Sequence, residues 1–243
     1  MARLDVELAR RGLAVSREAA QRLIMAGKVR VNSRPAQKPD LKVDEDSKIL
    51  VVGGERRYAS RGAEKLIAAL DEFQIEVANR EALDVGASSG GFTDALLSRG
   101  AARVIALDVG YGQLDLRLRN DPRVTVLERT NIREVALTQL PFQPNLIAVD
   151  VSFISLRLVI PVLKQLLTRD GNLIALIKPQ FEVGKGKVGK GGVVRDPELR
   201  AEAVTVVVDF AKTMGFAVKG QIESPLRGPA GYVEYLAWMK PIN

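Results

Sequence analysis

A short apolar stretch followed by a glycine-rich turn constrains this chain more than any other feature. Residues 82–85 have the composition of a buried strand, and the turn that follows leads into the start of a helix. Glycines let such a turn bend tightly and approach a ligand, and a helix N-terminus favours polar or anionic groups. The stretch therefore predicts a ligand-binding strand–turn–helix unit. Its predicted contact residues are Gly86, Ala87, Ser88, Gly90, Gly91 and Phe92.

Strand and helix patterns alternate from Ser60 onward, which predicts a parallel sheet covered by helices on both faces. Helices are predicted from a Ser60 cap to Leu70 and near residues 92–99, 131–138, 155–168 and 196–214. The seven predicted strands are Ala82–Val85, Arg103–Asp108, Val124–Leu127, Asn145–Asp150, Asn172–Ile177, Phe216–Ile222 and Tyr232–Met239. An α/β chain with seven strands, the last ones after a long helix, has the strand count of the class I methyltransferase variant of the Rossmann fold.

Polar residues stand at the carboxyl ends of five successive predicted strands. Ligands of open α/β sheets bind beyond those ends. Asp108 follows Asp84 by 24 residues, at the end of the next strand, where a carboxylate can hold ribose hydroxyls. This arrangement suits a nicotinamide dinucleotide and S-adenosylmethionine equally. The residues are Asp84, Asp108, Thr130 with Asn131, Asp150 and Lys178.

The turn itself favours S-adenosylmethionine. Residues 86–91 lack the Gly-x-Gly-x-x-Gly pattern that brings a pyrophosphate to a helix N-terminus. S-adenosylmethionine has a carboxylate and an ammonium group instead of phosphates. Asp84 is predicted to meet the ammonium, the amides of the turn to receive the carboxylate, and Thr130 with Asn131 to take the adenine side.

Composition excludes several kinds of chemistry. The chain has no cysteine and no histidine, so it has no disulfide, thiolate nucleophile, Ser-His-Asp triad or usual zinc site, and no metal is predicted. Acid–base chemistry must use Lys, Asp, Glu or Tyr. No apolar run approaches the roughly 20 residues that span a bilayer, and the first residues do not resemble a secretory signal. A cytoplasmic protein that does not contact membranes is the expectation.

The residues around the predicted site restrict the methyl acceptor. Amino-group methylation of a base normally uses an Asn/Asp-Pro-Pro-aromatic loop after the fourth strand, whereas residues 150–153 read Asp-Val-Ser-Phe. Methylation at cytosine C5 needs a thiolate. A hydroxyl acceptor needs a base, and Lys178 at the end of an apolar strand can be that base or simply pair with a carboxylate. Glu234, predicted within the last strand, should meet a lysine because an unpaired buried carboxylate is costly.

The N-terminal quarter carries nearly all of the excess positive charge. Residues 1–61 hold 14 Lys and Arg against 8 Asp and Glu, and residues 62–243 hold 22 against 21. Two helices are predicted, one ended by Gly12 and one from a Ser16 cap to Ala26, followed by strands at residues 28–32 and 48–52. Clustered basic charge on a small α+β module is typical of phosphate-backbone binding, although a solvated basic face remains possible. The predicted RNA-binding residues here are Arg3, Arg10, Arg11, Arg17, Arg22, Lys28 and Arg30.

This module resembles the S-four type RNA-binding domain over about residues 1–60. The resemblance is carried by Arg3-Leu-Asp5, Leu8, Arg11-Gly12, Ser16-Arg17 and the stretch 26–32, Ala-Gly-Lys-Val-Arg-Val-Asn. It implies a domain at residues 1–59 that grips structured RNA by shape and phosphates, with a linker at about 53–59 and a methyltransferase domain at 60–243.

Seven further motifs resemble the TlyA family, S-adenosylmethionine-dependent rRNA 2′-O-methyltransferases sometimes labelled hemolysins. They are Ser60–Leu66, Asp84–Asp94, Ala106–Gln113, Leu127–Asn131, Asp150–Ser155, Ile177–Glu182 and Gly192–Asp196. The resemblance implies an FtsJ-like catalytic tetrad of Lys65, Asp150, Lys178 and Glu234, in which Lys178 helps remove the 2′-hydroxyl proton. It also implies a cytidine target in rRNA of ribosomal subunits: helix 69 of 23S and, in some members, helix 44 of 16S. Relatives often carry Arg-x-Trp-Val in the linker, whereas residues 56–59 here read Arg-Arg-Tyr-Ala.

Other readings remain open from sequence alone. The basic, glycine-rich stretch 184–192 is predicted to close over RNA phosphates through Lys185, Lys187 and Lys190, or is a plain solvated loop.

The protein could also be a non-catalytic RNA-binding factor in ribosome assembly, against which the intact tetrad argues. A membrane-lysing protein is the third alternative, against which the absence of a spanning segment argues.

Overall fold

The computed structural model describes residues 1–14, 16–51, 58–184, 186, 188–228 and 231–242, apart from the side chain of residue 190. The chain divides into two compact units, residues 1–57 and 58–243. Most of the predicted linker, residues 53–57, lies outside the described residues, as do Lys185 and Lys187.

The first unit packs two helices on short strands. The helix Arg17–Met25 begins where the sequence predicts, because the Ser16 hydroxyl accepts a hydrogen bond from the Ala19 amide at 3.1 Å. Asn32 and Ser33 both have positive φ, 47° and 69°, as a two-residue hairpin turn requires. Three strands of two or three residues, Ala2–Arg3, Arg34–Ala36 and Lys42–Val43, were too short to predict. The elements are β1 (Ala2–Arg3), α1 (Leu4–Arg10), α2 (Arg17–Met25), β2 (Val29–Val31), β3 (Arg34–Ala36), β4 (Lys42–Val43) and β5 (Ile49–Val51).

The second unit is built on a seven-stranded sheet, as the sequence predicts. The strands are β6 (Glu81–Val85), β7 (Arg103–Leu107), β8 (Val124–Leu127), β9 (Leu146–Val149), β10 (Asn172–Ile177), β11 (Phe216–Glu223) and β12 (Tyr235–Pro241). Their order is β11-β12-β10-β9-β6-β7-β8. The sheet is not fully parallel as expected, since β12 runs antiparallel to both β10 and β11. Strand β12 follows β11 directly through a loop, and neighbouring strands joined in this way run antiparallel.

Helices cover both faces of this sheet. They are α3 (Gly62–Glu72), α4 (Gly91–Ser98), α5 (Leu116–Arg119), α6 (Ile160–Leu166), α7 (Pro179–Glu182) and α8 (Pro197–Thr213). Apolar residues of α3 and α4 pack on one face, and those of α6 and α8 on the other. Successive strand residues point to opposite faces, so Leu83 and Val85 join the α6/α8 core while Ala82 joins the α3/α4 core.

Several predicted boundaries are wrong. The helix expected at 131–138 is two 3₁₀ turns, Ile132–Glu134 and Leu137–Gln139, because the backbone is extended at Val135 and Ala136 where Val135 enters the core. The helix expected at 155–168 is a 3₁₀ turn, Leu156–Leu158, followed by α6, which ends before the extended Leu167. The two corrections do not alter which strand ends face the predicted site.

Two further corrections concern residues beside the site. Arg61 rather than Ser60 stands at the N-cap of α3, and the Ser60 hydroxyl accepts instead from the Gly62 amide at 3.2 Å. Strand β12 begins at Tyr235, so Glu234 precedes the strand rather than lying within it.

Candidate active site

Three strands and one helix bring the four predicted catalytic side chains to one edge of the sheet. Asp150 follows β9 and Lys178 follows β10 at their carboxyl ends. Because β12 is antiparallel and pairs Tyr235 with Ile177, Glu234 at its start lies at this same edge. Lys65 reaches the edge from the first turns of α3. Residues separated by up to 169 positions in sequence are thus brought together by strand register.

The four side chains form two lysine–carboxylate pairs. The Nζ atom of Lys178 lies 2.5 Å from Oδ1 of Asp150 and donates a hydrogen bond to the Ser152 hydroxyl at 2.9 Å. Lys65 donates a hydrogen bond to Oε2 of Glu234. Lys65 and Lys178 are each 9% exposed and Glu234 is 2% exposed. Buried charges need partners of this kind, and here both lysines have one.

These pairs and the glycine-rich turn line a single cavity of about 340 Å³. Its wall includes Gly86, Ala87, Ser88, Gly91 and Phe92 of the turn, all five predicted from the sequence as ligand contacts. It also includes residues that sequence reasoning missed: Ser60, Arg61, Gly62, Ser89, Ser152, Leu226, Arg227 and Gly228. A cavity lined by both a glycine-rich turn and paired titratable groups is a typical site for ligand binding and reaction.

Asp84 has a different environment from the one the sequence suggests. Its side chain is fully buried and is absent from the cavity wall. Oδ2 accepts hydrogen bonds from the amide of Thr93 at 2.8 Å and from its hydroxyl at 2.6 Å, which ties the end of β6 to the start of α4. Oδ1 has no hydrogen-bond partner among the described residues. Burial is the main reason that the pKa of Asp84 is raised to about 7.

The remaining predicted cofactor residues serve local backbone structure. The Asp108 carboxylate accepts from the amides of Ser88 at 2.8 Å and Gly110 at 2.6 Å. The Thr130 hydroxyl donates to the carbonyl of Glu128 at 3.0 Å. The Asn131 side-chain oxygen caps the next turn by accepting from the backbone amide of Arg133 at 3.2 Å. Asp108, Thr130, Asn131 and Gly90 are not in the wall of the 340 Å³ cavity. Their contacts with a cofactor stay predictions.

Gly86 shows why the turn must contain glycine. It has φ of 85°, and a Cβ atom there would meet the backbone of Asp150, with the carbonyl carbon at 2.9 Å. A side chain would therefore push apart the ends of β6 and β9, which are joined by the Asp150 amide donating to the Val85 carbonyl at 2.9 Å.

Glu182 fixes the loop that carries Asp150. Its carboxylate accepts from the Ser155 hydroxyl at 2.6 Å and from the Leu156 amide at 2.8 Å, and burial raises the pKa of this carboxyl. The same loop presents Phe153, which has φ of 64° and is 93% exposed, with its ring centroid 5.3 Å from that of Phe181. A bulky residue with positive φ is an outlier, and such strain clusters at functional sites. Sequence reasoning singled out neither residue by itself, although both lie within quoted motifs.

Two buried acids organise the basic residues of the N-terminal unit. Asp5 accepts hydrogen bonds from Arg3 and Arg17, each at 3.0 Å, and these contacts lower its pKa. Glu7 accepts from Arg10 and Arg11, which lower its pKa to about 2.

The seven predicted RNA-binding residues of this unit therefore form two groups. Four arginines are tied to buried carboxylates, whereas Arg22, Lys28 and Arg30 are exposed and have no ion pair with any described residue. The second group offers the more available positive charge.

The strand order and the turn after β6 together define a class I methyltransferase. The model of the FtsJ-like methyltransferase family matches residues 58–241, and that of the S4 domain matches residues 2–49. The chain belongs to the TlyA branch of the FtsJ-like methyltransferase family. The resemblances read from the sequence are thereby confirmed.

Near relatives cover almost the whole chain. The 16S/23S rRNA (cytidine-2′-O)-methyltransferase TlyA of Mycobacterium tuberculosis is 53% identical over 240 residues, 98% of this chain and 90% of that protein. Hemolysin A of Brachyspira hyodysenteriae is 41% identical, over 97% and 98% of the two chains. A solved structure from Streptococcus thermophilus, provisionally named a hemolysin, has a TM-score of 0.77 and 40% identity over 99% and 88%. In the described part of this chain, no helix has the length and apolar character to cross a membrane.

Proposed function

We propose that this protein transfers a methyl group to the ribose 2′-hydroxyl of cytidine in ribosomal RNA. The observation that carries the proposal is the pair of buried lysine–carboxylate contacts in one cavity with the glycine-rich turn. A hydroxyl acceptor needs a proton acceptor in a partly dry site, and the chain has neither histidine nor cysteine to supply one. The name of the M. tuberculosis relative supports cytidine in 16S and 23S rRNA as the target class.

The residues around the turn fit S-adenosylmethionine. When bound, this cofactor supplies a methyl group on a sulfonium. The amides of Gly86, Ala87 and Ser88 already donate to Leu107 and Asp108. Those of Ser89 and Gly91, in the wall of the same cavity, can receive the methionine carboxylate. Asp84 lies near the end of the strand that leads into this turn, and its Oδ1 is a buried acceptor without a partner among the described residues. Asp108, Thr130 and Asn131 follow the next two strands, where the nucleoside would be held by the arrangement common to open α/β sheets.

Lys178 has the central role in the proposed chemistry. In its neutral form, Nζ would accept the proton of the ribose 2′-hydroxyl. The ribose oxygen would then be the nucleophile for the methyl group of a bound sulfonium, whose carbon–sulfur bond would break as the carbon–oxygen bond forms. Asp150 and Ser152 contact this Nζ from two sides and so fix the direction of the nitrogen lone pair. Glu234 neutralises Lys65, which leaves the Lys65 ammonium to orient the ribose without adding net charge to the site.

Phe153 supports a nucleotide substrate. An almost fully exposed aromatic ring beside the cavity is costly unless a partner covers it, and a base is a suitable stacking partner. Phe153 directly follows Ser152, so it lies on the loop whose Ser152 hydroxyl accepts a hydrogen bond from Lys178.

Methyl transfer to rRNA tests the proposal directly. Ribosomal subunits isolated from cells that lack the protein are incubated with purified protein and labelled S-adenosylmethionine, and 2′-O-methylcytidine is mapped. We expect new 2′-O-methylcytidines, with helix 69 of 23S rRNA as the first position to inspect and helix 44 of 16S rRNA as the second. Label found only on bases, or no label on rRNA, would contradict the assignment. On the same basis we propose that the protein acts in the cytoplasm, on ribosomal subunits.

A further inference from the structure

A second cavity of about 290 Å³ is lined by three arginines and no acidic residue. Arg195 lies two residues before helix α8, Arg200 is in its first turns, and Arg227 comes from the loop between β11 and β12. Arg227 also lines the active-site cavity, so the two cavities have one lining residue in common. None of these arginines belongs to the predicted catalytic, cofactor or RNA-binding residues.

The Arg200 guanidinium has one edge bonded and one edge free. Nη1 donates to the carbonyls of Val194 at 3.3 Å and Arg195 at 2.7 Å, which holds the group in place. Nε is buried and has no hydrogen-bond partner among the described residues, and Nη2 forms none there either. The Nε–Nη2 edge is the one that binds carboxylates and phosphates in a bidentate manner.

The charges around the cavity are not balanced by nearby acids. Within the described chain, the one carboxylate that forms an ion pair with these arginines is that of Glu223, 3.6 Å from Arg227 and half exposed. Asp196 instead caps α8 by accepting from the Glu198 amide at 2.8 Å. Three guanidinium groups around one cavity repel each other, and a buried donor without a partner is unfavourable. Both costs are removed by an anion.

We infer that this arginine cavity, lined by Arg195, Arg200 and Arg227, binds a backbone phosphate of the RNA next to the nucleotide that enters the active site. The inference rests on the proposed function, because RNA is the anionic polymer that an rRNA ribose methyltransferase must hold. A 2′-hydroxyl is always close to a phosphate of its own strand, so an arginine that lines both cavities, Arg227, suits this ligand. The phosphate contact fixes the position of the RNA strand, while the active site binds the ribose.

The test compares variants that remove charge and keep approximate side-chain size. Arg195→Gln and Arg200→Gln are set against Arg169→Gln, an exposed arginine just before β10, at the edge of the sheet opposite the active site. RNA affinity is measured over a range of salt concentrations without methyl donor, and kcat and KM for RNA are measured with it. Binding of S-adenosylmethionine and the Tm of each variant are recorded in parallel.

We expect Arg200→Gln to raise KM for RNA about tenfold, with smaller effects on kcat and none on cofactor binding. The salt dependence of RNA binding should also become shallower, by about one unit of slope, because one phosphate contact is lost. A merely structural role would lower the Tm but leave this slope unchanged. If Arg200→Gln does not fold, the exposed Arg195→Gln variant carries the same test.

Two outcomes separate the inference from the proposed function. If Arg195→Gln and Arg200→Gln both match Arg169→Gln in KM and salt slope while the wild type methylates rRNA, the phosphate site is wrong and the function stands. If the wild type binds RNA without methylating ribose, the proposed function is wrong. The salt slopes of the variants then still decide whether the arginine cavity holds a phosphate.

Discussion

At the scale of single residues, the site consists of polar groups whose partners are set by burial. Lys178 has Asp150 and Ser152 as partners, and Lys65 has Glu234. Asp84 has Thr93 on one oxygen and no described partner on the other. Each arrangement avoids leaving a full charge buried alone, which would cost several kcal/mol.

The Lys178→Ala variant tests the proposed proton acceptor. Lys178 is the proposed partner of the reacting hydroxyl, and its contacts are with Asp150 and Ser152 rather than with the glycine-rich turn. We therefore expect RNA and S-adenosylmethionine binding to stay within about threefold of wild type. The rate of methyl transfer should fall by at least about a hundredfold, as for the loss of a general base. Single-turnover methylation of rRNA and separate binding titrations measure these quantities. The exposed Lys219→Ala variant serves as control, and a normal rate for Lys178→Ala would contradict the mechanism.

Asp84 predicts a pH-dependent stability. Its pKa in the folded protein is about 7, above its ordinary value of 3.8, because burial favours the protonated form. Folding favours the protonated Asp84 carboxyl, and this adds to the free energy of unfolding. The added stability is fully present below pH 3.8 and is lost as the pH rises towards 7. The Asp84→Asn side chain does not ionise, so the variant does not lose stability as the pH rises. It also keeps an oxygen that accepts hydrogen bonds from Thr93. The advantage of the variant should therefore grow between about pH 4 and pH 7.

Urea unfolding without ligand, over a series of pH values, measures this difference. Asp121→Asn is the control, because Arg123 lowers the pKa of Asp121 and the linked change in stability falls at more acid pH. If the free energies of unfolding of Asp84→Asn and wild type differ by a constant amount from pH 4 to 7, the carboxyl of Asp84 titrates normally.

At the scale of elements, the glycine-rich turn acts as a joint between strands. The amides of Gly86 and Ala87 donate to the Leu107 carbonyl at 2.8 and 3.0 Å, so the turn is tied to the end of β7. The backbone of Asp150 packs on its other side. A substitution in the turn therefore affects the cavity wall and the position of Asp150 together.

Gly86→Ala and Gly112→Ala separate close packing from backbone strain. Both glycines have positive φ, 85° and 68°, but a Cβ at Gly112 would meet no atom within 4 Å. Gly112→Ala should cost about 1 kcal/mol of stability, from the backbone alone. Gly86→Ala should cost several kcal/mol more, because the ends of β6 and β9 must separate, and it should abolish cofactor binding. Denaturant unfolding and S-adenosylmethionine titration measure both effects; equal behaviour of the two variants would show that the turn tolerates a side chain.

At the scale of the whole molecule, positive charge is concentrated in one unit and the reaction in the other. The excess of Lys and Arg over Asp and Glu is 6 in residues 1–61 and 1 in residues 62–243. Part of the N-terminal charge is used internally by Asp5 and Glu7. Substrate affinity and chemistry should therefore be separable by mutation.

A triple variant tests the free basic residues of the N-terminal unit. Changing Arg22, Lys28 and Arg30 to Gln should weaken RNA binding at all sites and reduce the salt slope by up to about one unit per lost phosphate contact. S-adenosylmethionine binding should not change, since the turn belongs to the other unit. The matched control changes Arg169, Lys212 and Lys219, which are exposed residues of the methyltransferase unit, to Gln. Equal salt slopes for the two triple variants would remove the N-terminal unit from the RNA interface.

The sequence by itself determined the α/β class, the seven strands and the identity of the turn. Period-two and helical patterns reflect which side of an element is buried, and glycine, Ser16 and Asn32 act locally through backbone φ and capping. Both motif resemblances also follow from sequence alone. Helix ends were predicted poorly at 131–138 because the burial of Val135, a tertiary contact, sets the extended backbone there.

Only the tertiary structure decided which polar groups meet. The antiparallel direction of β12 brings Glu234 to the carboxyl edge beside the end of β10, and no local pattern fixes that pairing. Asp84 looks like a ligand contact in sequence, but the fold turns its Oδ2 to Thr93. The arginine cavity joins Arg195, Arg200 and Arg227 from two separate segments. Long-range contacts depend on strand register and on the cost of burying charge without a partner, and both are properties of the folded chain.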